Sequence, residues 1–188
     1  MKCTLALTLV VTIVVGAPGL VGPSIAPTRV QAQQAPSSAD APRLTRDEFQ
    51  RLYDRMTGIW DFQPDKSTYT RGEPPQRWYV IYEADGDKAV KYTNRSFDAD
   101  GQETVRVSRQ VLDGKGYSRP EGDTAIARQP VDEFTINTTI RNAGVLTSRN
   151  TQFFSADGRR MTIILRRTTE QGEYMTTINV YDKIDRID

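Results

Sequence analysis

Seven arginines stand inside runs that alternate apolar and polar residues: Arg106, Arg109, Arg128, Arg141, Arg149, Arg166 and Arg167. A guanidinium on a strand has two fates. It faces water, where it also blunts edge-to-edge pairing, or it faces inward and needs an anion, because an unpaired buried charge is costly. Most of the seven are expected to face solvent. Arg109 shares the alternation of Val105, Val107 and Val111. Arg149 is in phase with Val145, Thr147, Thr151 and Phe153. If those apolar residues point inward, the two arginines do as well. They are therefore the candidates for holding the anionic end of a ligand. Trp78, Tyr92, Tyr117 and Tyr174 are the candidates for its apolar walls.

Much other chemistry is excluded. The chain has no histidine, and its one cysteine is Cys3. A domain lacking the first residues therefore has no histidine base, no cysteine nucleophile, no His or Cys metal ligand and no disulfide. No Gly-rich phosphate loop and no Gly-x-Ser-x-Gly elbow occurs. Asp98, Asp100 and Glu103 flank Gly101, but their spacing is that of an Asp-Gly turn and not of a calcium loop. Asp132 and Glu133 are neighbours in sequence and would point to opposite faces of a strand, so they do not form a glycosidase pair. No cofactor and no metal is expected. With 25 Lys and Arg against 24 Asp and Glu, the chain lacks the basic footprint of a nucleic-acid binder.

The elements that position these residues come in order along 188 residues, a length for one domain. Residues 1–32 read as a signal peptide: Lys2, an apolar run from Leu5 to Val15, and Val30-Gln31-Ala32 before the cleavage point. The run is too short and too broken by Gly16, Pro18 and Gly19 to span a membrane, so no span is expected after cleavage. A secreted or periplasmic location follows. Residues 33–43 read as a flexible leader, and 44–188 as the folded domain.

The domain opens on one amphipathic helix at 46–56. Thr45 and Glu48 fit a capping box, Leu44 and Phe49 a hydrophobic staple, and Phe49, Leu52, Tyr53 and Met56 form one apolar stripe. Gly58 is placed to end the helix in a left-handed conformation. Strands are expected near 59–63, 77–84, 88–97, 102–112, 124–130, 133–141, 145–155, 159–169 and 173–182, separated by Gly, Asp and Asn turns. No room remains for crossover helices, so the strands must form an antiparallel meander, and closure removes its edges. The expected fold is all-β: an up-and-down barrel of about 8–9 strands with an N-terminal helix. An immunoglobulin-type sandwich is the alternative.

Gly58-Ile59-Trp60 enters the first strand directly after the helix. It is followed by Asp65-Lys66-Ser67, Asp98-Ala99-Asp100-Gly101, Asp113-Gly114-Lys115, Asp157-Gly158-Arg159-Arg160-Met161-Thr162 and Val180-Tyr181-Asp182-Lys183. Over residues 58–184 this resembles small secreted bacterial lipocalin-like proteins of the calycin type. The resemblance implies a barrel whose Trp60 is a structural residue packing across the closed end. Two features depart from it. The Thr-Asp-Tyr motif is absent, and no arginine ends the last strand to cover the tryptophan, the nearest basic residues being Lys183 and Arg186.

A barrel of this size can hold one small ligand. The expected function is binding of a small hydrophobic or amphiphilic molecule in the lumen. Two alternatives stay open. One is an isomerase- or cyclase-type enzyme using Asp, Glu or Tyr as acid–base groups in the same pocket. The other is a filled barrel serving as an envelope interaction module. The sequence does not set the oligomeric state.

Overall fold

The computed structural model describes residues 44–69, 75, 77–119, 122–169 and 172–187. The expected signal peptide and leader lie outside the described residues. Helix α1, Arg46–Met56, starts as its sequence demands. Thr45 caps it, the Glu48 amide donates to Thr45 Oγ1 at 3.3 Å, and the Thr45 amide donates back to the Glu48 carboxylate at 2.8 Å. A hydrogen bond from the Thr45 hydroxyl at 2.7 Å, that amide contact and nearby Arg51 hold the Glu48 carboxyl below its ordinary range. Thr45→Ala should lower stability by about 1 kcal/mol, measured by urea titration; an unchanged midpoint would show that the cap adds nothing.

Gly58 follows the helix with the positive φ expected of it, but as the first residue of a strand and not as the cap. The helix stops at Thr57, whose backbone is extended, and Gly58 opens strand β1 with φ +128°. The physical need for glycine is that φ, which side-chain-bearing residues rarely adopt. A Cβ at this position would meet Lys183 Cε at 2.7 Å.

Ten antiparallel strands follow, one more than the upper end of the expected count. They are β1 Gly58–Phe62, β2 Arg77–Ala84, β3 Ala89–Phe97, β4 Glu103–Val111, β5 Gly116–Ser118, β6 Thr124–Asp132, β7 Thr135–Asn142, β8 Val145–Phe154, β9 Arg160–Thr168 and β10 Tyr174–Ile184. A single 3₁₀ turn, Pro64–Lys66, lies after β1. The extra strand is β5, three residues set between Gly114 and Pro120, which as a sequence reads only as a turn.

The hydrogen-bonded order is β4-β3-β2-β1-β10-β9-β8-β7-β6-β5. It is an up-and-down meander curled about one interior, with β1 joining β10. The ladder is not continuous between its two ends, β4 and β5. The connection between them is pinned where the Gly114 amide donates to the Arg128 carbonyl at 2.8 Å. Gly114, at φ +76°, is required there, since a side chain would land on the Gln129 amide oxygen.

The lower end, beside the helix, is solid. Leu52 and Met56 of α1 pack with Trp60, Phe62, Val80, Tyr82, Val90, Leu112, Ile136, Phe154, Met161 and Tyr181. Trp60 is 0% exposed and donates its Nε1–H to the Met56 carbonyl at 2.8 Å, satisfying one of the free carbonyls at the helix end. Lys183 covers the ring from the other side, its Nζ 5.1 Å from the ring centroid and 3.0 Å from the Arg55 carbonyl. The lysine therefore takes the covering position that the sequence left without an arginine.

Candidate functional site

The register decides what the sheet encloses. Directly opposed residues share a face. From buried Trp60 the inner face runs through Val80, Asn94 and Arg106 on β2, β3 and β4. In the next row Tyr82 opposes Tyr92, and Tyr92 opposes Ser108. On the other wall Arg128 opposes Thr138, Thr138 opposes Asn150, and Asn150 opposes Leu165. Arg167 stands opposite Ser148 and Met175 on that same face.

The interior therefore has two halves. The lower one is packed. The upper one is a basin whose residues are half-buried or open: Trp78, Tyr92, Asn94, Arg106, Arg128, Ile140, Asn150, Leu165 and Thr177. Its floor is aromatic. Phe62, Trp78 and Tyr181 meet with ring centroids 5.5–5.7 Å apart, and Tyr82 and Tyr92 lie 5.4 Å apart.

Its charge is one-sided. Arg106, Arg119 and Arg128 all lie within electrostatic reach of the Tyr92 phenol. Burial pushes that phenol up, while a hydrogen bond from Asn94 at 3.0 Å and the three arginines pull it back. Tyr82 and Tyr181, both buried, are held well above the usual phenol range by loss of water. Desolvation pulls the Arg128 guanidinium down, and neighbouring Arg119 adds to this. The carboxylates Asp61, Glu83, Glu103 and Asp182 all sit on outward positions of their strands. Among the described inner-face strand residues there is no Asp or Glu. An acid–base pair of carboxylates for the enzyme alternative is accordingly not present on these strands.

The six expected ligand-contacting residues divide. Trp78 and Tyr92 are on the inner face. Tyr117 opposes Ile126 and so shares that face, but it lies exposed at the β4–β5 gap and donates to Asp113 at 2.8 Å. Three point elsewhere. Arg109 is on the outer face of β4, ion-paired to Asp85 at 2.8 Å. Arg149 is exposed on the outside of β8, directly opposite Arg166. Tyr174 is 83% exposed at the start of β10.

The two misplaced arginines have one cause. Apolar parity means inward parity only over a solid core, and here Val105 and Val107 are 51% and 59% exposed and face water. On β4 the polar set Thr104, Arg106, Ser108 and Gln110 faces in. The residues that sequence reasoning missed are Arg106, Arg119 and Arg128. The available signal was Arg128 standing in phase with Ile126 and Pro130, both buried.

Two surface clefts lie away from the basin. One, of about 470 Å³, is bounded by Arg51, Asp54, Arg55, Asp157, Arg159 and Lys183 beside the helix. The other, of about 650 Å³, lies outside β1 and β2 between Asp61, Arg77, Tyr79 and Arg186. Among the described residues no cluster of three or more metal-ligating side chains occurs, and no helix is long and apolar enough to cross a membrane.

This up-and-down antiparallel meander is shared with solved small β-barrels. The crystal structure of the wild-type fluorescent protein UnaG superposes with a TM-score of 0.51 at 9% identity, covering 70% of this chain and 98% of UnaG. Zebrafish ileal bile acid-binding protein, crystallised with cholic acid, gives a TM-score of 0.46 at 11% identity, covering 69% of this chain and 99% of that protein. At 9% identity the likeness to UnaG is one of fold alone. No protein-family model and no curated protein matches the sequence.

Proposed function

We propose that this chain is an exported protein that binds a small amphiphilic anion in the upper basin of its barrel. The observation that carries the reading is the acid-free arginine set, Arg106, Arg119 and Arg128, around Tyr92 above an aromatic floor. Arg128 is the half-buried, desolvated member and Arg106 and Arg119 are exposed beside it; an anion would stabilise Arg128, and each guanidinium offers charge-assisted, bidentate hydrogen bonds. The apolar part of the ligand would lie against Trp78, Ile140 and Leu165. The packed lower half limits its size. Export is supported by the apolar run Leu5–Val15 and by Val30-Gln31-Ala32.

The test compares dodecanoate with dodecanol by calorimetry on the native protein and on Arg128→Met. The substitution keeps side-chain length and removes the charge. Dodecanoate should bind the variant about tenfold or more weakly, the loss of one charge-assisted contact, while dodecanol is unchanged. Equal losses for both would make Arg128 a support of the barrel. No binding of either to the native protein would defeat the reading and favour a barrel that serves other partners.

A further inference from the structure

We infer that the head group this basin takes is a dianion, a phosphate monoester carried on an apolar tail; the inference rests on the basin being an amphiphile site. The argument is one of charge and shape. Arg106 reaches the inner face from β4, Arg128 from β6 and Arg119 from the end of β5, and the three share Tyr92 as a common neighbour. Arg119 lies close enough to Arg128 to raise the cost of its charge. Arg167 adds a fourth cation on the same face.

On the outer face four strand cations are ion-paired, Lys91 with Glu83, Arg95 with Glu103, Arg109 with Asp85 and Arg160 with Asp182, whereas Arg149 and Arg166 face water opposite one another. The inner arginines have no such partner among the described residues. A monocarboxylate would neutralise one of three and leave the rest facing one another. A phosphate monoester brings close to two charges at pH 7 and three terminal oxygens, one for each guanidinium fork. Tyr92 stands among the same three arginines as a neutral donor.

The dianion has a pH signature of its own. The charged and titratable groups around the head are Arg106, Arg119, Arg128 and Arg167 with Tyr92 and, at the β4–β5 gap, Tyr117 bonded to Asp113, whose carboxyl is held below its ordinary range. Guanidinium and phenol side chains as classes do not change charge in mild acid, and the chain has no histidine. The ligand alone changes, losing its second charge below about pH 6.

The experiment measures binding of dodecyl phosphate, dodecyl sulfate and dodecanoate below their micellar concentrations. Dodecyl sulfate has the same tail and three terminal oxygens but one charge. Dodecyl phosphate should bind about tenfold or more tightly than dodecyl sulfate at pH 7.5, and the advantage should vanish by pH 5. Arg106→Gln, on an exposed stretch of β4, should reduce that preference, and Arg109→Gln on the outer face should leave it intact. Inorganic phosphate alone should bind far more weakly than dodecyl phosphate; equal affinity would overturn the amphiphile. Equal binding of phosphate and sulfate esters at pH 7.5 would overturn the dianion while leaving the amphiphile site standing. Failure of all three detergents to bind would overturn both.

Discussion

Trp60→Ala is expected to lower the stability of the domain by about 3–5 kcal/mol, the range for truncating a large core aromatic. Three losses add at this position. The ring is fully buried and packs against Phe154 with centroids 5.7 Å apart, so truncation leaves a cavity between helix and barrel. The Met56 carbonyl loses its donor at the end of α1. Lys183, whose amine sits over the ring, loses the surface it covers, and desolvation already pulls its pKa down. Trp60→Phe separates these terms. It keeps most of the apolar area but removes the N–H, so it should cost distinctly less. Urea titration followed by far-ultraviolet circular dichroism measures both. An alanine variant as stable as the native chain would mean that the helix and closed end contribute little to the fold.

The same corner explains how much was legible in advance. The helix was readable to the residue because several local signals agree: cap, staple and stripe are each set by near neighbours in the chain. Trp60 was readable because it follows directly on that helix. The barrel was readable from its turns, which are local too. Facing was not. A strand's alternation shows that two faces differ but does not say which is inside, and here the usual inference inverts. Val105 and Val107 on β4 are outside, while Thr104, Arg106 and Ser108 face the basin. A solid core would have made the valines the inner set. An interior that is packed at one end and wet at the other selects polar residues at the wet end, and only the register to β3 reveals it. Arg119 was hidden for a different reason: it follows β5, a strand of three residues whose pairing with β6 comes from tertiary context and not from its own propensity.

The inner arginines also set a trade between stability and binding. Arg128→Met should raise the stability of the empty protein, by about 1 kcal/mol, while weakening the anionic ligand at least about tenfold. Arg128 has lost much of its water, has Arg119 as a like-charged neighbour, and has no carboxylate partner among the described residues. Replacing such a charge with an apolar side chain of similar length removes a desolvation cost and a repulsion together. The chain thus keeps a destabilising residue at the place where an anion would bind. For a domain of this size the gain corresponds to a melting temperature about 2–4 °C higher. Added dodecanoate should then raise the melting temperature of the native protein more than that of the variant, because a ligand stabilises only as far as it binds the folded state. At saturating ligand the order of the two should reverse. A variant that melts lower without ligand would show that Arg128 holds the barrel together, and the basin would lose the charge on which the proposed function stands.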